Sequence, residues 1–228
     1  MLPTKKTEKL ADFSRMVTFL YGEKKIGKTT FAAQIPGALF LCTEEGVNHL
    51  EVFKVSIRTW EDLYTLGKEL KAGKHEFTTL VFDTVDLAFK LCENYTCKKL
   101  GIVHASDAAF GKGYSLIRDE FVRVVNGLAQ LGLGIVFISH SKEKELKKKA
   151  DKWTVMTSTL GTAASEVVNG MSDLILYAYI HEDGRRVVRT KPTKYINAGD
   201  RTGILPEIMP LDYSEIQKCL QTIKGDKK

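Results

Sequence analysis

Short, mostly apolar runs punctuate a chain of otherwise mixed character, at residues 17–21, 38–43, 79–83, 135–139 and 173–180. Each is too short for a helix and lacks the polar alternation of a half-exposed strand. Each therefore reads as a strand buried on both faces. Residues 52–57 read as a further, more polar strand. Between these runs the apolar positions change to helical spacing. Trp60, Leu63, Tyr64, Leu66 and Leu70 predict a helix to about Lys71, with Ser56 or Thr59 as its cap. Helices are also expected from Val85 to about Lys99, stopped by Gly101, and from Tyr114 to about Leu131, stopped by Gly132. Residues 162–171 form another, and Ser214 can cap a closing helix to Ile223. Glu182, Asp183 and Gly184 make a hairpin turn into residues 185–189.

Strands alternating with helices predict an α/β fold, a mainly parallel sheet flanked by helices, with the late hairpin adding antiparallel strands at one edge. In such sheets reactive groups collect beyond the strand C-termini. Three polar residues stand at those positions: Glu44, Asp83 and His140.

A fourth strand end carries a longer motif. Gly22-Glu23-Lys24-Lys25-Ile26-Gly27-Lys28-Thr29 fits G-x-x-x-x-G-K-[ST], the phosphate-cradling loop, and Thr30 continues into a helix. The strand–loop–helix setting matters, because phosphates sit on free backbone N–H groups at a helix start. Gly22 and Gly27 allow backbone conformations and approaches that a Cβ obstructs. Lys28 reaches the β- and γ-phosphates, and the Thr29 hydroxyl can ligate Mg²⁺. A site for ATP or GTP with Mg²⁺ is expected.

Composition narrows the setting. Over 228 residues, 43% are hydrophobic and 27% charged, as in an ordinary globular domain. No apolar run is long enough to span a membrane, and residues 1–14 hold no signal-peptide core, so the expected location is the cytoplasm. Cys42, Cys92, Cys97 and Cys219 show no metal-ligand or disulfide spacing. The organisation expected is an N-terminal arm (1–15), one ATPase core (16–213) and a C-terminal helix with a basic tail (214–228). The net charge of +6 is concentrated locally: residues 142–152 hold six lysines against Glu143, Glu145 and Asp151. That segment reads equally as a solvated helix, a hairpin arm or a loop.

Asp83, closing a strand, has the pattern of a Walker B acid that holds Thr29 and the metal, with Thr84 beside it. Glu44 is placed to orient the attacking water, with Glu45 as the neighbouring alternative. His140 can hydrogen-bond the γ-phosphate, with Ser139 next to it. The set of P-loop, Glu after the next strand, strand-Asp-Thr and strand-Ser-His resembles the RecA-type ATPase core. More narrowly, residues 21–30, 82–84, 138–140 and Gly199-Asp200-Arg201-Thr202-Gly203 resemble the small phage RecA-like nucleotide-binding ATPases.

The resemblance covers about residues 16–210 and is weakest over 142–170. It implies that Glu44 is the catalytic base and His140 a sensor coupling nucleotide state to DNA-binding loops. It implies a homo-oligomeric ring or filament in which Arg201 serves a neighbour's ATP site, although an arginine there can equally bind local carbonyls. It also implies action on single-stranded DNA in phage-type recombination or replication, in the host cytoplasm, with a single-strand-binding protein as a further partner. The basic segment supplies the candidate contacts Lys147, Lys148, Lys149 and Lys152, and Trp153 for base stacking. ParA-like ATPases carry a signature Lys five positions before the P-loop Lys; Glu23 stands there, which removes that class. The alternative function is a regulatory or loader ATPase acting on a protein partner. A nucleotide kinase is disfavoured, since no Arg-rich lid follows the P-loop.

Overall fold

The apolar runs assemble into one sheet in the computed structural model, which describes residues 2, 4–7, 9–148 and 151–225. In chain order the elements are β1 (Val17–Gly22), α1 (Lys28–Ala33), β2 (Ala38–Cys42), β3 (Phe53–Ser56), α2 (Trp60–Lys71), β4 (Thr79–Asp83), α3 (Val85–Leu100) and α4 (Lys112–Ala129). They continue with β5 (Gly134–Lys148), β6 (Asp151–Ser158), α5 (Thr162–Met171), β7 (Leu174–Ile180), β8 (Arg186–Arg189), β9 (Gly199–Asp200), β10 (Ile208–Pro210) and α6 (Tyr213–Gly225). The main sheet runs β10-β8-β7-β1-β5-β4-β2-β3. From β7 to β3 the strands are parallel, and β8 and β10 add antiparallel pairing at the β7 edge.

Strand periodicity divides each apolar run between two cores. Phe19, Tyr21, Leu39, Leu41, Leu80, Phe82, Ile135 and Phe137 face α2 to α5, where Trp60 and Phe121 are fully buried. Leu20, Phe40, Val81, Val136 and Ile138 face the other way, onto Phe31 and Ile35 beside α1 and onto Ile216 and Leu220 of α6. Burial on both faces is why these strands read as unbroken apolar runs. Helix starts follow local chemistry. Thr59, not Ser56, caps α2 through a capping box with Asp62. Gly101 ends α3 in the left-handed region.

The structure adds detail at two places. Phe13 is fully buried against Phe31 and Tyr213, and its N–H donates to Gln217 Oε1 at 2.9 Å. Ala11, Phe13 and Ser14 at the end of the first segment and Ile216 and Leu220 of α6 thus pack into the core, whereas Leu2, residues 4–7, Lys9 and Leu10 are exposed, and residues 226–228 of the expected basic tail lie outside the described residues. Residues 142–148 and 151–158 are an antiparallel hairpin, so of the three readings of the basic segment the hairpin arm holds. Its first strand is the outward continuation of β5, which passes through the sheet and keeps going. Among the described residues no helix is long and apolar enough to cross a membrane.

Candidate functional site

Parallel register lines up four strand ends at one edge. Gly22 stands opposite His140, Asp83 opposite Ile138 and opposite Cys42, two residues before Glu44. Because β5 lies between β1 and β4, His140 sits between the P-loop and the Walker B strand. A cavity of about 630 Å³ opens there, lined by Lys24, Lys25, Gly27, Lys28, Thr29, Thr30, Glu44, Glu45, Asp83 and His140.

The loop's geometry follows from its residue types. Gly27 has φ +110°, which favours glycine. A Cβ on Gly22 would collide with the Ala178 carbonyl of β7, so only glycine lets β1 end against that strand. Gly22, Glu23 and Ile26 are not in the cavity wall. Gly22 and Glu23 act through their carbonyls, which accept from Lys28 Nζ at 2.9 and 2.7 Å. Ile26 is buried in the α1-side core and anchors the loop.

Lys28 is 5% exposed. Burial pushes its ammonium down to about 8 from the usual 10.5, against the pull of Asp83, Asp86, Glu44 and Glu23. Its Nζ lies 3.5 Å from His140 Nδ1. The imidazole is held below its usual range by burial first and by the Lys28 charge second. The Thr29 hydroxyl donates to Asp83 Oδ2 at 3.1 Å. Burial raises the Asp83 carboxyl and Glu44 raises it further, while the Thr29 hydrogen bond and Lys28 oppose the rise.

Two hard oxygen donors, a hydroxyl and a buried carboxylate, therefore meet beside a lysine at the mouth of a phosphate loop. That donor set fits Mg²⁺. Thr84 contributes through its backbone: its N–H donates to Thr43 Oγ1 at 3.0 Å, and that hydroxyl in turn contacts the Asp83 and Thr84 carbonyls at 3.2 and 3.1 Å. The peptide bond joining Asp83 and Thr84 is cis. Ser139 is fully buried, 3.4 Å from the Thr159 hydroxyl. Thr159 ties the returning hairpin strand to the site: its N–H donates to the His140 carbonyl at 2.8 Å and its hydroxyl to Asp86 Oδ1 at 2.7 Å.

Other predicted residues lie elsewhere. Arg201 is at the opposite edge of the sheet, before β7, with Nη1 3.5 Å from Asp173 Oδ1 and its guanidinium donating to the Gly170 and Met171 carbonyls. It does not enter its own chain's cavity. Asp200 of the same motif is a turn organiser, accepting from the Leu205 N–H and Lys191 Nζ at 2.9 and 3.0 Å.

The basic contacts do not form one surface. Lys147 and Lys152 are a cross-strand pair and both reach Glu145 Oε1, at 3.7 and 3.8 Å. Trp153 pairs with Leu146 on the opposite face, and Lys194 Nζ lies over its ring, 5.6 Å from the centroid. Strand pleating is the reason. Lys148 lies at the hairpin tip opposite Asp151, and Lys149 falls outside the described residues.

Sequence reasoning missed four residues of the cavity wall: Gly46, His49, Ile138 and Arg186. Gly46 and His49 follow Glu44 closely and were within reach of the strand-end rule. Arg186 lies far away in sequence and is brought in by the pairing of β7 with β8.

A protein-family model described as AAA domain (AAA_24) matches residues 14–202, a span that holds every cavity-lining residue named above. No curated protein matches the chain. The match covers most of the sequence and agrees with the P-loop, the Thr29–Asp83 pair and the mostly parallel sheet: the chain belongs to the AAA_24 family of AAA domains and is a P-loop ATPase domain.

Proposed function

We propose that this protein is a RecA-like ATPase that binds Mg·ATP, hydrolyses it slowly and acts on single-stranded DNA as a homo-oligomeric ring or filament. The observation that carries the reading is the strand order. With β5 between β1 and β4, a polar side chain stands between the phosphate lysine and the metal-site acid, and its strand continues outward as the basic hairpin.

In this reading Lys28 holds the β- and γ-phosphate oxygens, and Thr29 and Asp83 hold Mg²⁺, which when bound neutralises phosphate charge. Glu44 orients the attacking water and accepts its proton. His140 hydrogen-bonds the γ-phosphate end. Arg201, remote from its own cavity, is donated to a neighbouring subunit's nucleotide, which requires a closed ring or a filament. The setting is phage-type recombination or replication in the host cytoplasm, with a single-strand-binding protein as a further partner.

The hairpin supports the DNA role through Lys142, Lys144 and Trp153, which share one face. The same face also supports a second reading, a regulatory or loader ATPase. Leu146, Trp153 and Val155 are adjacent on it, an apolar strip suited to a protein partner.

One experiment separates these readings: ATPase rate and particle size with and without single-stranded DNA. Stimulation by DNA together with a larger particle supports the first. A rate that responds only to a protein partner supports the second. Lys28→Ala is expected to abolish nucleotide binding, and tight ATP binding by that variant would sink both.

A further inference from the structure

The sheet order gives the cavity two unlike flanks. Asp83 and Glu44 belong to the β5-β4-β2 side of β1, and β7 and β8 lie on the other side. Since β7 runs parallel to β1, with Gly22 opposite Ala178, the far end of β7 reaches the same edge as the P-loop. There Ile180 pairs with Arg186, the first residue of β8. The arginine is fixed in place by its backbone: its carbonyl accepts from the Leu211 N–H at 3.1 Å. Its guanidinium hangs over the phosphate loop, with Nη1 3.4 Å from where a Cβ on Gly27 would stand.

Its neighbours are committed and it is not. Arg185 pairs with Asp183, at 2.6 Å between Nη2 and Oδ2, and Arg189 pairs with Glu207. Among the described residues Arg186 makes no ion pair and no side-chain hydrogen bond. It shares the cavity with Lys24, Lys25 and Lys28. Lys28 is already drawn on by Asp83, Asp86 and Glu44, whereas the Arg186 guanidinium beside Gly27 has no acid of its own and is left for an arriving anion. A guanidinium suits phosphate because it offers paired N–H donors.

Given the nucleotide-binding reading above, on which this step rests, we infer that Arg186 is a phosphate-binding residue acting within its own chain, and that it grips the α,β-diphosphate end of the nucleotide. A triphosphate whose γ end faces Glu44 and Asp83 extends the other way along the loop, toward β7 and β8. Arg186 therefore reads what ADP and ATP have in common, whereas His140 and Glu44 read what distinguishes them.

The test is the affinity of the full chain for ADP and for a non-hydrolysable ATP analogue, measured by displacement of a fluorescent nucleotide. The variants are Arg186→Gln and Arg186→Lys. Arg186→Gln is expected to weaken both ligands about tenfold or more, and to similar extents, with Arg186→Lys recovering part of the loss. The exposed, unpaired side chain predicts an unchanged melting temperature without nucleotide, which checks that the variant is folded. A loss confined to the ATP analogue assigns the guanidinium to the γ-phosphate and overturns the inference. Unchanged affinity for both ligands overturns it outright. A wild-type chain that binds neither ligand refutes the nucleotide-binding reading itself, a separate result.

Discussion

The buried ammonium of Lys28 makes nucleotide affinity depend on pH in a direction that can be worked out in advance. With no anion present, burial holds it at about 8. Bound phosphates favour the charged form and return the group toward its ordinary range near 10.5, so binding above pH 8 takes up a proton. Phosphate oxygens, with a second pKa near ~6, are already ionised there, and His140, held below its usual range, is already neutral. Between pH 7 and 9 Lys28 therefore sets the slope. Affinity is nearly level below pH 8 and is about tenfold weaker at pH 9, or roughly 1.4 kcal/mol. Folding stability of the nucleotide-free chain moves oppositely. The folded pKa lies below the unfolded one, so the group costs stability below pH 8 and the cost is relieved as pH rises from about 8 to 10.5. Calorimetric titration with ADP in buffers of different ionisation enthalpy measures both terms. Proton uptake should be about half a proton at pH 8 and approach one at pH 9. Lys28→Arg, charged throughout, should bind more weakly but with a level profile. Affinity independent of pH from 7 to 9 in the wild type, or proton release on binding, would refute the argument.

Four further outcomes are expected. Glu44→Gln should retain ATP affinity while turnover falls about 10²-fold or more, measured by phosphate release; unchanged turnover would move the base role to Glu45. Asp83→Asn should raise the Mg²⁺ concentration needed for half-maximal ATPase activity by about tenfold or more, because it removes the charged partner of Thr29. Trp60→Ala should cost about 4 kcal/mol in chemical denaturation, since it empties a fully buried site and leaves Glu120 without its 2.7 Å indole donor. If DNA lies on the Trp153 face of the hairpin, Trp153→Ala should weaken oligonucleotide binding more than Lys147→Ala with Lys152→Ala, whose ammonium groups already share Glu145. The reverse ranking, read by fluorescence anisotropy across a salt series, would place DNA on the other face.

Much of the cavity was legible because a residue that closes a two-faced buried strand interrupts an apolar run, and the interruption shows in the sequence. Glu44, Asp83 and His140 were visible in this way, and Lys28 and Thr29 through motif spacing. Arg186 was not. It is one of three arginines on a hairpin, and nothing local separates it from Arg185 or Arg189; only the pairing of β7 with β8 and of β7 with β1 aims it at the loop. Phe13 was lost for a similar reason, since its partners Phe31 and Tyr213 are distant in sequence. The hairpin carried a usable signal. Lys142, Glu143, Lys144 and Glu145 alternate in sign with a period of two, the spacing of a strand, where a helix would favour opposite charges three or four residues apart. That alternation also separates Lys142 and Lys144 from Glu143 and Glu145, which counting lysines over the segment cannot do.

The continuity of β5 has a consequence for how ATP chemistry can be used. One uninterrupted strand carries His140, 3.5 Å from the phosphate lysine, and eight residues later ends at the hairpin tip. The return strand comes back to the same place, where Thr159 holds the His140 carbonyl and Asp86. Both feet of the hairpin are thus pinned within one hydrogen bond of the nucleotide site, and no flexible loop separates them from it. In the proposed function, a change at His140 when phosphate arrives or leaves would act on a two-stranded ribbon clamped at its base by Thr159. For that function, this geometry suits a cycle in which the hairpin would hold a target differently in the ATP and ADP states. Under the proposed function, the two candidate targets would share one face of the hairpin, a nucleic-acid strand engaging Lys142, Lys144 and Trp153 and a protein engaging the apolar strip of Leu146, Trp153 and Val155.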